Sequence, residues 1–186
     1  MTSKIVLAIT IGVSLGSAAF AQELERIPLS DGNPWRAFRR TTKEGVHISL
    51  VQSVGDAGMG FMCQDDRKSK TKHIFLNLRW RKRVDFRVRV YEKLFSPGVR
   101  KQDLFVNVAV KLLPSNEERT EHFHFYPEDN IIVLTLNKKD IAEMLQSTTY
   151  IVRAETKILT DEAYAKFPLD GLAEALTVFD GVCEYR

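Results

Sequence analysis

No long apolar run follows the first 21 residues of this 186-residue chain, so no membrane-crossing helix is expected in the rest of it. Signatures of catalysis are missing as well. There is no Gly-x-Ser-x-Gly elbow, no His-Glu-x-x-His pair and no glycine-rich phosphate loop. A nucleophilic site needs a Ser or Cys beside a base in a shaped surround, and no motif announces one. Cysteine is scarce, with two in the whole chain, and neither lies close behind the apolar run where a lipid anchor would attach. Internal repeats and low-complexity linkers are also absent. Together these absences point to one non-enzymatic domain that uses no cofactor.

What is present begins with an export signal. Met1–Ala21 has one early cation, Lys4, then an apolar run and Ala19-Phe20-Ala21, the small-x-small pattern that a signal peptidase cuts after. An uncleaved anchor is the alternative, but the apolar core is shorter than the roughly 20 residues of a comfortable span. Residues 1–21 are therefore expected to be a signal peptide, and the mature protein to be soluble in a bacterial periplasm. Residues 22–33 show no period and read as an extended N-terminal segment. Residues 34–186 are a natural size for a single globular domain. In an oxidising compartment Cys63 and Cys183 are most simply one disulfide. It would close a loop of about 120 residues, worth on the order of 4 to 5 kcal/mol in the chain-entropy account.

The densest signal runs from Arg67 to Lys93, RKSKTKHIFLNLRWRKRVDFRVRVYEK, with eleven cations against two acids. Ile74, Leu76, Leu78 and Trp80 alternate with polar residues. After Arg81-Lys82-Arg83 the alternation resumes with Val84, Phe86, Val88 and Val90. Period two predicts a central pair of half-buried strands. Their solvated face would carry Arg79, Arg81, Arg83, Arg87 and Arg89 as a row of cations. Arginine holds phosphates and carboxylates through forked two-point contacts, and one strand face repeats about every 6.6 Å. Such a row suits an anionic envelope polymer or lipid, or an acidic protein partner; nucleic acid fits poorly with export. Two other readings compete. Like charges on a strand can blunt a sheet edge against aggregation. The chain from Asp103 onward has eight cations against fifteen acids, so it could neutralise the row from within.

Elsewhere the pattern is of short strands and turns. Val46, Ile48 and Leu50 predict one strand and Met59, Phe61 and Cys63 a second, joined by a glycine-rich turn. Further strands are predicted over Leu104–Leu112, around Phe123 and Phe125, over Ile131–Leu136 and over Thr148–Thr156. The period changes at Lys138–Gln146, a short helix with Asn137 as cap and Asp140 three residues on. Asp161–Lys166 reads as loosely helical or loop. A C-terminal helix follows, with Leu172, Leu176 and Phe179 on one stripe, Asp170 as N-cap and Gly181 as stop. The fold class is mainly β. About eight strands form an antiparallel sandwich or a curled open barrel, with a short internal helix and a disulfide-tethered C-terminal one.

His122 and His124 share a strand face, a spacing that two metal ligands use, although an exposed polar face is the plainer reading. A cell-wall-directed metal-binding or hydrolytic protein is accordingly the alternative function.

Trp35, Cys63 closing the second strand, the lead-in Phe167-Pro168-Leu169-Asp170-Gly171-Leu172, then Ala175-Leu176 and Cys183 make a spaced pattern. It resembles a group of small bacterial periplasmic proteins, the type VI secretion-associated proteins of the VasI or TagO kind and related domains. The likeness is thinly spread over most of the mature chain and leaves out the arginine-rich strands. It implies a non-enzymatic envelope protein without catalytic residues.

Overall fold

The computed structural model describes residues 24–43, 45–66, 71–96, 99–115, 117–158 and 163–185. The expected signal peptide and Arg67, Lys68 and Lys70 of the cationic stretch lie outside them. The first five strands are β1 (Glu25–Ile27), β2 (Arg36–Thr41), β3 (Gly45–Val54), β4 (Ala57–Asp66) and β5 (Thr71–Trp80). Then come β6 (Val88–Ser96), β7 (Val99–Leu113), β8 (Glu118–Tyr126) and β9 (Ile131–Leu136). Helix α1 (Lys138–Leu145), β10 (Thr149–Ala154), β11 (Tyr164–Pro168) and helix α2 (Leu172–Leu176) complete the chain, α2 running into a 3-10 turn over Thr177–Phe179.

All strand pairs are antiparallel, in the order β1-β2-β3-β4-β5-β9-β8-β7-β10-β11, and β6 pairs with the first half of β7. The sheet curls far enough to bring β11 against β3 but does not close into a barrel. Period-two alternation is the cause. Ala57, Met59, Phe61 and Cys63 on β4 all face inward and are buried, as are Ile74, Leu76, Leu78 and Trp80 on β5. Val106, Val108, Val110 and Leu112 on β7 meet them from the far side of the curl. Both helices lie over the same interior, α1 through Ile141 and Met144, and α2 through Leu172, Ala175 and Leu176. Phe61, Phe123, Phe167 and Phe179 are each fully buried, worth roughly 2 to 3 kcal/mol apiece. The mainly β, curled-sheet fold class therefore stands.

The helix ends separate a right expectation from a wrong one. At α1 the Asp140 N–H donates to Asn137 Oδ1 (3.0 Å) and the Asn137 N–H donates to Asp140 Oδ2 (2.9 Å), a reciprocal cap. Asp170 does not cap α2. Gly171 takes that position in the left-handed region (φ 72°), and the Asp170 carbonyl accepts instead from Trp35 Nε1 (3.0 Å). Asn33 explains the glycine: its side chain lies 2.8 Å from where a Cβ at residue 171 would stand. Residues 161–166 are also corrected, because Tyr164–Lys166 belong to β11, whose partner β10 supplies the missing ladder. Residues 161 and 162 lie outside the described residues.

In the N-terminal segment Glu25–Ile27 form a strand and Asp31–Gly32 a turn, and the segment is joined to the rest of the sheet. β1 pairs with β2, and Ser30 and Asn33 both hydrogen-bond the Glu174 carboxylate on α2. Cys63 and Cys183 form the disulfide, tying β4 to the chain's end across 120 residues. Replacing both cysteines by alanine should lower stability by about 4 kcal/mol, read as a lower urea midpoint.

The Ser30 hydroxyl and backbone N–H, with Asn33, hold the Glu174 carboxyl below its usual range. A depressed folded-state pKa stabilises the fold above the ordinary glutamate range, and the gain is lost as pH falls through the lowered value. The melting-temperature gap between the wild type and Glu174→Gln should thus be widest at neutral pH and close below about pH 4.

Candidate anion-binding rim

The five arginines are reached by following the chain out of β5. Arg79 pairs with Gly58 of β4 on one side and with Ile131 of β9 on the other. Both slots beside β5 are taken, so β6 cannot lie next to it. From Trp80 the chain passes β9, β8 and β7 and pairs with β7 at Val88 from the side opposite β8. Four strand steps are about 19 Å, and seven extended residues reach about 23 Å. Residues 81–87 are just long enough.

This crossing keeps the alternation of a strand without being one. Val84 and Phe86 are 4% and 2% exposed, whereas Arg81, Lys82, Arg83, Asp85 and Arg87 all face solvent. Phe86 meets Trp80 and Phe125 edge-on, with ring centroids 5.6 and 5.4 Å away, and so plugs one end of the curled sheet. Backbone bonds fix the rest. The Arg81 N–H donates to the Asp56 carbonyl (2.6 Å), the Arg87 N–H to the Glu155 carbonyl (2.9 Å) and the Lys157 N–H to the Asp85 carbonyl (3.0 Å). Phe86 also bridges to Thr156.

The expected row of cations along two neighbouring strands is therefore overturned. Arg79 is the last residue but one of β5, Arg89 the second of β6, and Arg81, Arg83 and Arg87 sit on the crossing between them. All five are exposed, and they form a rim at one end of the sheet. Arg81 pairs with Asp56 at 3.8 Å and Arg89 with Glu155 at 3.4 Å. Among the described residues Arg79, Arg83 and Arg87 make no ion pair. Among the described residues the acidic second half of the chain pairs with the rim at one point, Glu155. Glu121, Glu143 and Asp140 instead surround Arg119 at 2.8, 2.6 and 3.7 Å, beside α1 at the other end of the sheet. Burial there pushes the Tyr150 hydroxyl far above the ordinary tyrosine range.

His122 and His124 do share the outer face of β8. They are already engaged. His122 Nδ1 lies 2.8 Å from Asn107 Oδ1, Asn107 Nδ2 donates to Glu155 (3.3 Å), and His124 stacks on Phe105 with ring centroids 4.2 Å apart. Among the described residues no group of three or more His, Cys, Asp or Glu is placed to hold a metal ion. This outer-face chain, Arg89–Glu155–Asn107–His122, was not legible in the sequence, since its members come from four strands or their ends. An open cleft of about 480 Å³ lies away from the rim, between β1 and the residues after α2, lined in part by Glu25, Arg39 and Asp180.

Phe86→Ala should cost about 3 to 5 kcal/mol by opening the plugged end, measured by urea denaturation. Reversing the charge of Arg79, Arg83 or Arg87 should move stability by no more than about 0.5 kcal/mol each, because these side chains are exposed and make no ion pair among the described residues. No protein-family model matches this chain, and no curated protein and no solved structure matches it.

Proposed function

We propose that this is a non-enzymatic accessory protein of the bacterial cell envelope, exported to the periplasm, that binds an anionic envelope component or an acidic partner through the arginine rim. One observation carries the reading. Arg79, Arg83 and Arg87 are exposed and unpaired among the described residues, on and beside a crossing whose Val84 and Phe86 are locked in the core. Guanidiniums held by a fixed backbone lose less freedom when they grip a phosphate or carboxylate than those on a loose loop. The disulfide between buried cysteines suits an oxidising compartment, and the apolar segment before residue 21 suits export. The resemblance to type VI secretion-associated periplasmic proteins points the same way. For the metal-binding or hydrolytic alternative, His122 and His124 offer two ligands already bonded or stacked to neighbours.

Inorganic polyphosphate is a suitable probe. The protein should bind it at low salt and release it as ionic strength shortens the reach of exposed charges. The triple variant Arg79→Glu, Arg83→Glu, Arg87→Glu should bind at least about tenfold more weakly while melting as the wild type does. Unchanged affinity in that variant would sink the rim as a binding surface. A periplasmic pull-down at low and high salt separates an acidic protein partner from a polymer or lipid.

A further inference from the structure

Gly58 is a glycine that the sheet itself does not require. It stands on the outer face of β4, opposite Ser53 of β3 and Arg79 of β5. A Cβ at this position would have ordinary room, with the Arg79 carbonyl oxygen 3.7 Å away and the Gln52 carbonyl oxygen 3.9 Å away. Its backbone is not in the left-handed region either. Gly60, the next outer position, is different, because a Cβ there would lie 3.1 Å from the Leu50 carbonyl oxygen. A glycine inside a strand weakens it, and one without a local cause often marks the close approach of another chain.

Together the two glycines leave a furrow along the outer side of β4, closed at one end by Met62. Ser49 and Val51 of β3 flank it on one side, and Phe75, Asn77 and Arg79 of β5 on the other. Val51, Met62 and Phe75 are partly exposed and stand outside the core, which lies on the opposite face of the same strands. From Ala57 to Cys63, β4 has no polar side chain. Unbroken apolar runs of this kind belong to strands covered on both faces. Helices α1 and α2 lie on the inner side, so among the described elements the outer side of β4 has no cover.

Charge on this outer face has one sign. Arg26 and Arg36, which pair in register with Phe38 and Val51, are exposed beside Arg79, and none of the three makes an ion pair among the described residues. No Asp or Glu is among the described side chains of that face from β1 to β5 and on β9.

Each possible occupant asks for different chemistry. A second copy would bring like charge against like. A bilayer calls for apolar side chains that stand proud of their surroundings, and these border a furrow on a convex sheet. A soluble polyanion would use the arginines and leave the apolar walls idle. An acidic amphipathic helix uses all of it. Gly58 to Met62 spans about 13 Å, the length of about nine helical residues. An apolar stripe of that length fills the furrow, while acids on the helix flanks meet Arg79 on one side and Arg36 and Arg26 on the other. We propose that the furrow along β4 is the docking site for an acidic amphipathic helix of a partner protein. This goes beyond the anion-binding reading above, with which it shares Arg79 alone.

The test uses the chain from residue 22 and a defined probe, an acetylated peptide of about 18 leucines, alanines and glutamates with its leucines on one helical stripe. A control peptide of the same composition has its leucines scattered round the helix. The striped peptide should bind at least about tenfold more tightly than the control. Gly58→Val suits a strand and fills the furrow. It should weaken the striped peptide at least about tenfold, melt no lower than the wild type and bind polyphosphate as before. Met62→Ser, which changes the outer face alone, should weaken the peptide as well.

Equal binding of the two peptides, or no binding of the striped one, overturns the proposal; so does unchanged affinity in both variants. Polyphosphate binding that persists through these results leaves the anion-binding reading standing. Binding to phosphatidylglycerol vesicles that Gly58→Val abolishes would assign the furrow to a bilayer instead. Self-association lost in that variant would assign it to a second copy.

Discussion

The cationic end of this protein depends on the burial of one ring, Phe86. That ring fills the gap between Trp80 and Phe125 and anchors the seven residues from Arg81 to Arg87 from within. With it there, the crossing has strand-like alternation and fixed backbone bonds to Asp56 and Glu155. The charged residues face out because their neighbours face in. Val84 and Phe86 set the direction of Arg83, Asp85 and Arg87 as firmly as a ladder partner would.

This is why the sequence was right about one property of the stretch and wrong about another. Alternation is a local signal and reports which side chains are buried; it does so correctly from Ile74 to Phe86. It says nothing of the neighbour, because pairing is decided by register across the whole sheet. β9 pairs with β5 from Ile74 to Arg79, and β6 has to find β7. The cap of α1 was legible for the same local reason, since Asn137 and Asp140 are three residues apart and satisfy each other. The cap of α2 was not. Its glycine is explained by Asn33, 138 residues earlier, and no local rule reaches that far.

The candidate site divides along the same line. That these arginines would be exposed was readable from composition and period. Which of them would be neutralised was not, because Asp56 and Glu155 arrive from distant strands. The segregation of charge along the chain also overstated the neutralisation. Three of the acids in the second half are occupied by Arg119, which belongs to that half itself. Exposed pairs of this kind are worth little to stability, so they matter here mainly for the charge they leave uncancelled at the other end.

The contacts of the N-terminal segment bear on when the fold can form. Ser30 waits for Glu174, Trp35 for the Asp170 carbonyl, and Cys63 for Cys183, so three closures each need residues from the last seventeen of the chain. Contacts between such distant residues make folding slow, because loop entropy is lost before any closure is gained. A nascent chain of this sequence therefore cannot make all three closures before Cys183 has been added. Its β4, with a cysteine in the middle, stays unfinished until then.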